Sequence, residues 1–168
     1  MFGDIRDQFP VDHIDRVTPA FVQRVVEMGG RLNLQPLHLL AIMSFESGFE
    51  PTAVNASSGA TGLIQFLPST ATGLGTTTDK LKAMSADEQL EFVEKYFSQF
   101  KQQFATHNTL EDAYMAVLFP NAIGKGPDHV LFAEGSKAYK GNKDLDVDRD
   151  GRVTVAEAAS FVRKRIKQ

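Results

Sequence analysis

The chain has 168 residues, 42% hydrophobic and 23% charged, with a formal net charge of −3. That length and balance suit one globular core with room for a small addition, and the slight acidity gives no ground for a nucleic-acid binder. Cysteine is absent, which excludes disulfide and thiol chemistry, and without tryptophan any sugar stacking falls to Tyr or Phe.

Residues 1–17 (MFGDIRDQFPVDHIDRV) carry acids and lack a long apolar run. They are expected to form an irregular lead-in, neither a signal peptide nor a membrane anchor. Thr18-Pro19 opens a helix with Phe21, Val22, Val25, Val26 and Gly29 on one face, and Gly29-Gly30 is expected to end it. Leu37 to Phe45 (LHLLAIMSF) is almost wholly apolar, which predicts a helix over 36–47 buried on most of its faces. Pro36 suits its first turn, and Gly48 and Pro51 stop it. Glu46 is then a carboxylate on the last turn of a core helix, one and two turns after Ile42 and Leu39. Desolvation and the negative end of the helix dipole both favour its protonated form. A carboxyl kept protonated near neutral pH serves as a general acid. The plainer alternative is a helix-end glutamate that turns out to water.

Gly59 and Gly62 flank a turn, and Gly62-Leu63-Ile64-Gln65 sets a neutral amide in a short apolar run. Glutamine offers both donor and acceptor for a sugar or peptide amide. A buried acid, a glycine loop and a placed amide point to a glycan cleft. Leu67 to Ala71 opens a short helix closing near Gly73–Gly75, and residues 76–80 (TTTDK) read as a loop. Ser85-Ala86-Asp87-Glu88 is a capping box before a long amphipathic helix with Leu90, Val93, Phe97, Phe100 and Phe104 inward as core. Thr109 caps the next helix, with Leu110, Ala113, Tyr114, Val117 and Leu118 on its inner face and Pro120 as its stop. From 120 to 139 glycine and proline punctuate the chain, with a short helix expected at 128–134. The histidines at 13, 38, 107 and 129 show no metal-ligand spacing.

Residues 146–157 (DVDRDGRVTVAE) fit the twelve-residue EF-hand loop. A cation of Ca²⁺ size needs six to eight oxygens, which such a loop supplies from positions 1, 3, 5, 7, 9 and 12. Here those are Asp146, Asp148, Asp150, the Arg152 carbonyl, Thr154 directly or through water, and Glu157. Gly151 allows the sharp turn, Val153 points inward, and Val155, Ala158, Ala159, Val162 and Ile166 share a face of the exit helix. The alternative is a solvated acidic turn. A bound calcium ion is expected to be structural, ordering the C-terminal helix.

Glu46-Ser47, Phe49, Pro51, Ala53, Gly59-Ala60, Gly62-Leu63-Ile64-Gln65 and Pro68-x-Thr70-Ala71 together resemble the signature of soluble lytic transglycosylases, relatives of goose-type lysozyme. The resemblance implies a mainly α fold. A lysozyme-like domain would span 18–125, with a small C-terminal extension over 126–168 carrying the EF-hand-like loop. It implies a muramidase acting on peptidoglycan strands between N-acetylmuramic acid and N-acetylglucosamine, with Glu46 as general acid and base. Ser47, Gly62, Gln65 and Tyr114 would face the substrate. Ala113-Tyr114 matches the family's Ala-Tyr-Asn motif, but Met115 stands where asparagine is usual. The stretch after Pro120 is similar to text that follows the catalytic domain in phage tail lysins. With no signal segment in 1–17, that similarity leads us to expect carriage in a virion, or delivery to the wall by another route, with tail proteins as partners. The domain itself is expected to be a monomer, and charge and hydropathy give no case for nucleic acid or membrane. One rival is hydrolysis by a water and a second carboxylate, Glu50 and Asp79 being the nearest in sequence. The other is a calcium-stabilised wall-binding module without catalysis.

Overall fold

In the computed structural model, which describes residues 3–168, the capping residues open the helices. Thr18 caps α1 (Pro19–Leu32), its hydroxyl accepting from the Phe21 amide at 3.1 Å. Pro36 begins α2 (Pro36–Ser47), and Gly48, left-handed at φ 61°, ends it. Next come α3 (Pro68–Gly73), α4 (Thr78–Lys82), α5 (Ala86–Ser98), α6 (Lys101–Phe104) and α7 (Leu110–Leu118). Capping boxes at Ser85 and Thr109 start α5 and α7. The chain closes with β1 (Val130–Ala133), α8 (Lys137–Gly141), β2 (Arg152–Thr154) and α9 (Val155–Arg163). Among the described residues the architecture is mainly α, as expected, with one two-stranded antiparallel sheet. None of the helices described is long and apolar enough to cross a membrane.

The centre of the core is α2. Leu39, Leu40, Ala41, Ile42, Met43 and Ser44 are all buried, because α1, α7 and α9 pack around them. Each such leucine or isoleucine contributes about 1.5–3 kcal/mol by leaving water, so this helix has little freedom to shift. The lead-in braces its far end. Ser44 Oγ donates to Asp12 O at 2.7 Å, Arg16 Nη1 donates to Gly48 O at 3.1 Å, and Val11 is buried in a bridge to Ile166. Residues 126–168 join the same core, with Tyr139, Val153, Val155, Ala158 and Val162 in one cluster with Leu39 and Ile42.

Several local expectations change. Gly29-Gly30 does not end α1, which runs to Leu32 and stops at Asn33 (φ 60°). A Cβ on Gly29 would lie 2.6 Å from Leu34 O, so glycine there lets the turn into α2 pass close to the helix. Residues 76–80 are not all loop, since the Thr77 hydroxyl accepts from the Lys80 amide and starts α4. The helix after Ser85 is not continuous. Ser98 Oγ bonds back to Glu94 O at 2.7 Å, a local competitor of helix geometry, and the chain breaks at Phe100 (φ −113°, ψ 12°) before α6 takes Phe104 inward. Phe100 is left half-buried. The stretch 128–134 forms β1 in place of a helix, because β-favouring Val130 and Phe132 find partners in Thr154 and Val153 of β2.

Candidate active site and metal loop

The rigid end of α2 carries Glu46 into mostly buried surroundings. Burial pushes its carboxyl up from an ordinary 4.5 to about 7, and the neighbouring Tyr114 hydroxyl offsets part of that rise. Tyr114, on α7, is 3% exposed, and its ring stands edge-on to Phe45 with centroids 5.9 Å apart. Burial first, then the neighbouring Glu46 charge, holds the phenol protonated far above its usual range. A neutral donor therefore faces a carboxyl that titrates near neutrality. Among the described residues no second carboxylate contributes to the Glu46 shift. Glu50 is exposed and accepts from the Thr52 hydroxyl at 2.8 Å, and Asp79 is exposed in the first turn of α4.

The loop after α2 is tied to that end by its own polar groups. Ser47 Oγ bonds to Leu63 O at 2.9 Å and to Met43 O at 3.1 Å. Gly62, at φ 86°, donates its amide to Ala53 O at 2.9 Å, and a Cβ there would meet Gln89 Oε1 at 2.5 Å. Only glycine fits both the backbone angle and the space. Gln65 Nε2 donates to Ala53 O and Gly62 O, each at 3.1 Å, and the side chain lines a recess of about 70 Å³ with Leu67, Tyr96 and Val117. The structure thus brings Glu46, Ser47 and Tyr114 to the end of α2, with Gly62 and Gln65 on the adjoining loop. The hydrogens of Ser47 Oγ and of the Gly62 amide are committed within the loop.

Sequence reasoning missed Gln89. It is fully buried on α5, where Oε1 accepts from Leu63 N at 3.0 Å and Nε2 donates to Pro51 O and Leu81 O, each at 2.7 Å. This one amide satisfies backbone groups on both sides of the loop, which would otherwise be orphaned. A signal was present: Gln89 lies one and two turns before Val93 and Phe97, a polar residue on an apolar stripe.

At the other end of the chain, Asp146, Asp148, Asp150 and Glu157 each offer an oxygen, all within 4.8 Å of one another. The loop shapes itself around these groups. The Asp146 carboxylate accepts from Tyr139 OH at 2.7 Å and Gly151 N at 2.9 Å, and the tyrosine bond is the main cause holding its pKa low. Asp150 accepts from Arg152 N at 2.9 Å, and Glu157 from Val147 N at 2.9 Å and Thr154 N at 3.1 Å. Thr154 caps α9 in a capping box with Glu157, so the last acid of the loop is fixed in the first turn of the helix. Asp148 is pushed up, first by desolvation and then, against a backbone bond, by the Asp150 and Glu157 charges. An all-oxygen, acid-rich donor set fits a hard divalent cation. Val153 of the loop strand pairs with Phe132 of β1, so the strand finds its partner within the chain. A cavity of about 680 Å³ beside the loop is lined by Tyr139, Asp146, Arg149, Gly151, Phe161 and Lys164.

Comparison with known families matches the transglycosylase SLT domain over residues 25–125, from within α1 to just past α7. That match takes in Glu46, the loop, Gln89 and Tyr114, and ends before the acidic cluster. No curated protein matches the chain.

Proposed function

The chain belongs to the transglycosylase SLT domain family, and from that premise we propose that it cleaves peptidoglycan strands with Glu46 as both acid and base. Glu46 gives its proton to the oxygen joining N-acetylmuramic acid to N-acetylglucosamine. The bond from muramic C1 to that oxygen breaks, and the glucosamine leaves with a new hydroxyl. The acetamido group on the muramic ring stabilises the positive charge at C1 in place of a second carboxylate. Glu46, now ionised, takes the proton of the C6 hydroxyl as that oxygen closes onto C1. A 1,6-anhydro end forms and the acid is restored.

One observation carries this reading. Burial pushes the Glu46 carboxyl up to about 7, and among the described residues the other group acting on it is a neutral tyrosine hydroxyl. A single group serves as acid and then as base most efficiently when its pKa lies near the working pH. In this reading Tyr114 orients the carboxyl, while Ser47, Gly62 and Gln65 build the wall of the sugar site. Val54 and Leu67 on the loop, 49% and 47% exposed, offer apolar contact to sugar faces.

The acidic loop is assigned to Ca²⁺, held by Asp146, Asp148, Asp150 and Glu157 with help from the Arg152 carbonyl and Thr154. The ion would supply charge that holds the loop closed, and it takes no part in the chemistry. Carriage to the wall within a virion, alongside other virion proteins, completes the reading. Digestion of purified peptidoglycan by the parent and by Glu46→Gln tests it, with 1,6-anhydro products from the parent alone as the expected result.

A further inference from the structure

Phe45 precedes Glu46 in α2, and groups from two later elements enclose its ring. Tyr114 of α7 stands edge-on at 5.9 Å and 81°. Phe161 of α9 lies against it at 6.2 Å and 36°, and the Arg165 guanidinium sits 5.7 Å from the ring centre. The Tyr114 hydroxyl also neighbours the Glu46 carboxyl. Phe45 therefore contacts both Phe161 and Tyr114, and Tyr114 in turn neighbours the acid. The helix that carries Phe161 is anchored twice. Glu157 ties its first turn into the acidic loop, and Arg163 pairs with Glu111 of α7. Glu157 and Phe161 are one turn apart and share a face.

We propose that Phe161 is a positioning residue for Glu46, acting through Phe45 and Tyr114, so that helix α9, outside the matched family domain, completes the active site. The proposal rests on Glu46 being the acid of the reading above. Phe45 is only half-buried, and Phe161 and Tyr114 both pack against its ring. With Phe161 removed, Phe45 gains room to turn, the Tyr114 ring loses its edge contact, and water reaches the carboxyl. Arg165 contributes by packing, since its charge has no part in the Glu46 shift. Small displacements of a catalytic group carry a large penalty in rate, roughly a hundred-fold for a displacement of about 1 Å.

The test compares the parent with Phe161→Ala and Phe161→Tyr. Three quantities are read: the Glu46 titration midpoint by carboxyl ¹³C NMR, kcat and KM on peptidoglycan strands, and the melting temperature. Glu46→Gln assigns the resonance. Phe161→Ala should lose roughly ten-fold in kcat with KM little changed. Its Glu46 midpoint should fall toward the ordinary carboxylate range, because admitted water relieves the burial that raises it and outweighs any loosening of Tyr114, and Phe161→Tyr should keep the parent's values. A folded Phe161→Ala protein with the parent's midpoint and kcat, changed only in melting temperature, would overturn the proposal. If the parent yields no anhydro products, the proposed activity fails, and the midpoint still decides the positioning role. A lowered midpoint in Phe161→Ala supports it, and an unmoved or raised one refutes it.

Discussion

The Tyr114 hydroxyl on α7 neighbours the Glu46 carboxyl at the end of α2, and it opposes the rise in pKa that burial causes. The tyrosine therefore keeps the acid from titrating higher still. Tyr114→Phe should move the Glu46 midpoint above about 7, because burial remains and the stabilising donor is gone. Turnover should fall on the order of a hundred-fold, the lower end of the effect of deleting a placed donor. Titration of the Glu46 carboxyl in the variant checks the direction, and a midpoint that drops would contradict the assignment.

The same burial makes stability depend on pH. Glu46 is raised in the folded state from 4.5 to about 7, so the fold holds that proton more tightly than the unfolded chain does. Its contribution is most favourable below 4.5 and is lost as pH climbs through about 7. Glu46→Gln, which cannot ionise, should gain on the parent across that window by up to roughly 3 kcal/mol. Denaturant unfolding of both proteins at about pH 4 and about pH 8 measures the change. A gap that is equal at the two values would show that Glu46 is not buried as an acid.

Gln89 should behave as part of the site although it lies on a different helix. Gln89→Leu keeps the apolar volume but leaves Leu63 N, Pro51 O and Leu81 O without their partner. The expected loss is about 2–4 kcal/mol of stability, from buried backbone groups left unsatisfied. It should come with reduced activity, because the Gly62 turn rests directly on this side chain. Urea unfolding and turnover measured together test both, and a variant unchanged in either would count against the brace.

Calcium removal should act on stability. If free calcium stands roughly a hundred-fold above its Kd, chelation should lower the melting temperature by about 5–10 °C. Asp148→Ala takes away one oxygen of the cluster, and its melting temperature should then respond little to either calcium or chelator. A parent melting curve indifferent to chelator would mean the acidic cluster is a solvated turn.

Much of this arrangement was legible because it is local. Thr18, Ser85 and Thr109 each cap the helix they precede, and the apolar run before Glu46 forms the buried α2 with the bounds its proline and glycine set. What escaped is long-range. Val130 to Ala133 forms a strand only because Arg152 to Thr154 returns to pair with it, and nothing within 128–134 announces that partner. Phe161 falls outside the stripe made by Val155, Ala158, Ala159 and Val162, so helical periodicity gave no reason to aim it at Phe45. Gln89 stands on the apolar stripe of its helix, but its role depends on three carbonyl and amide groups supplied by other segments.

The central claim is that one carboxylate, Glu46, both breaks the glycosidic bond and closes the anhydro ring. Mass analysis of muropeptides released from purified peptidoglycan by the parent and by Glu46→Gln tests it most directly. The parent should release products one water lighter than hydrolytic ones, and the variant none. Glu46-dependent products that retain the water would contradict it, because they require an attacking water in place of the C6 hydroxyl.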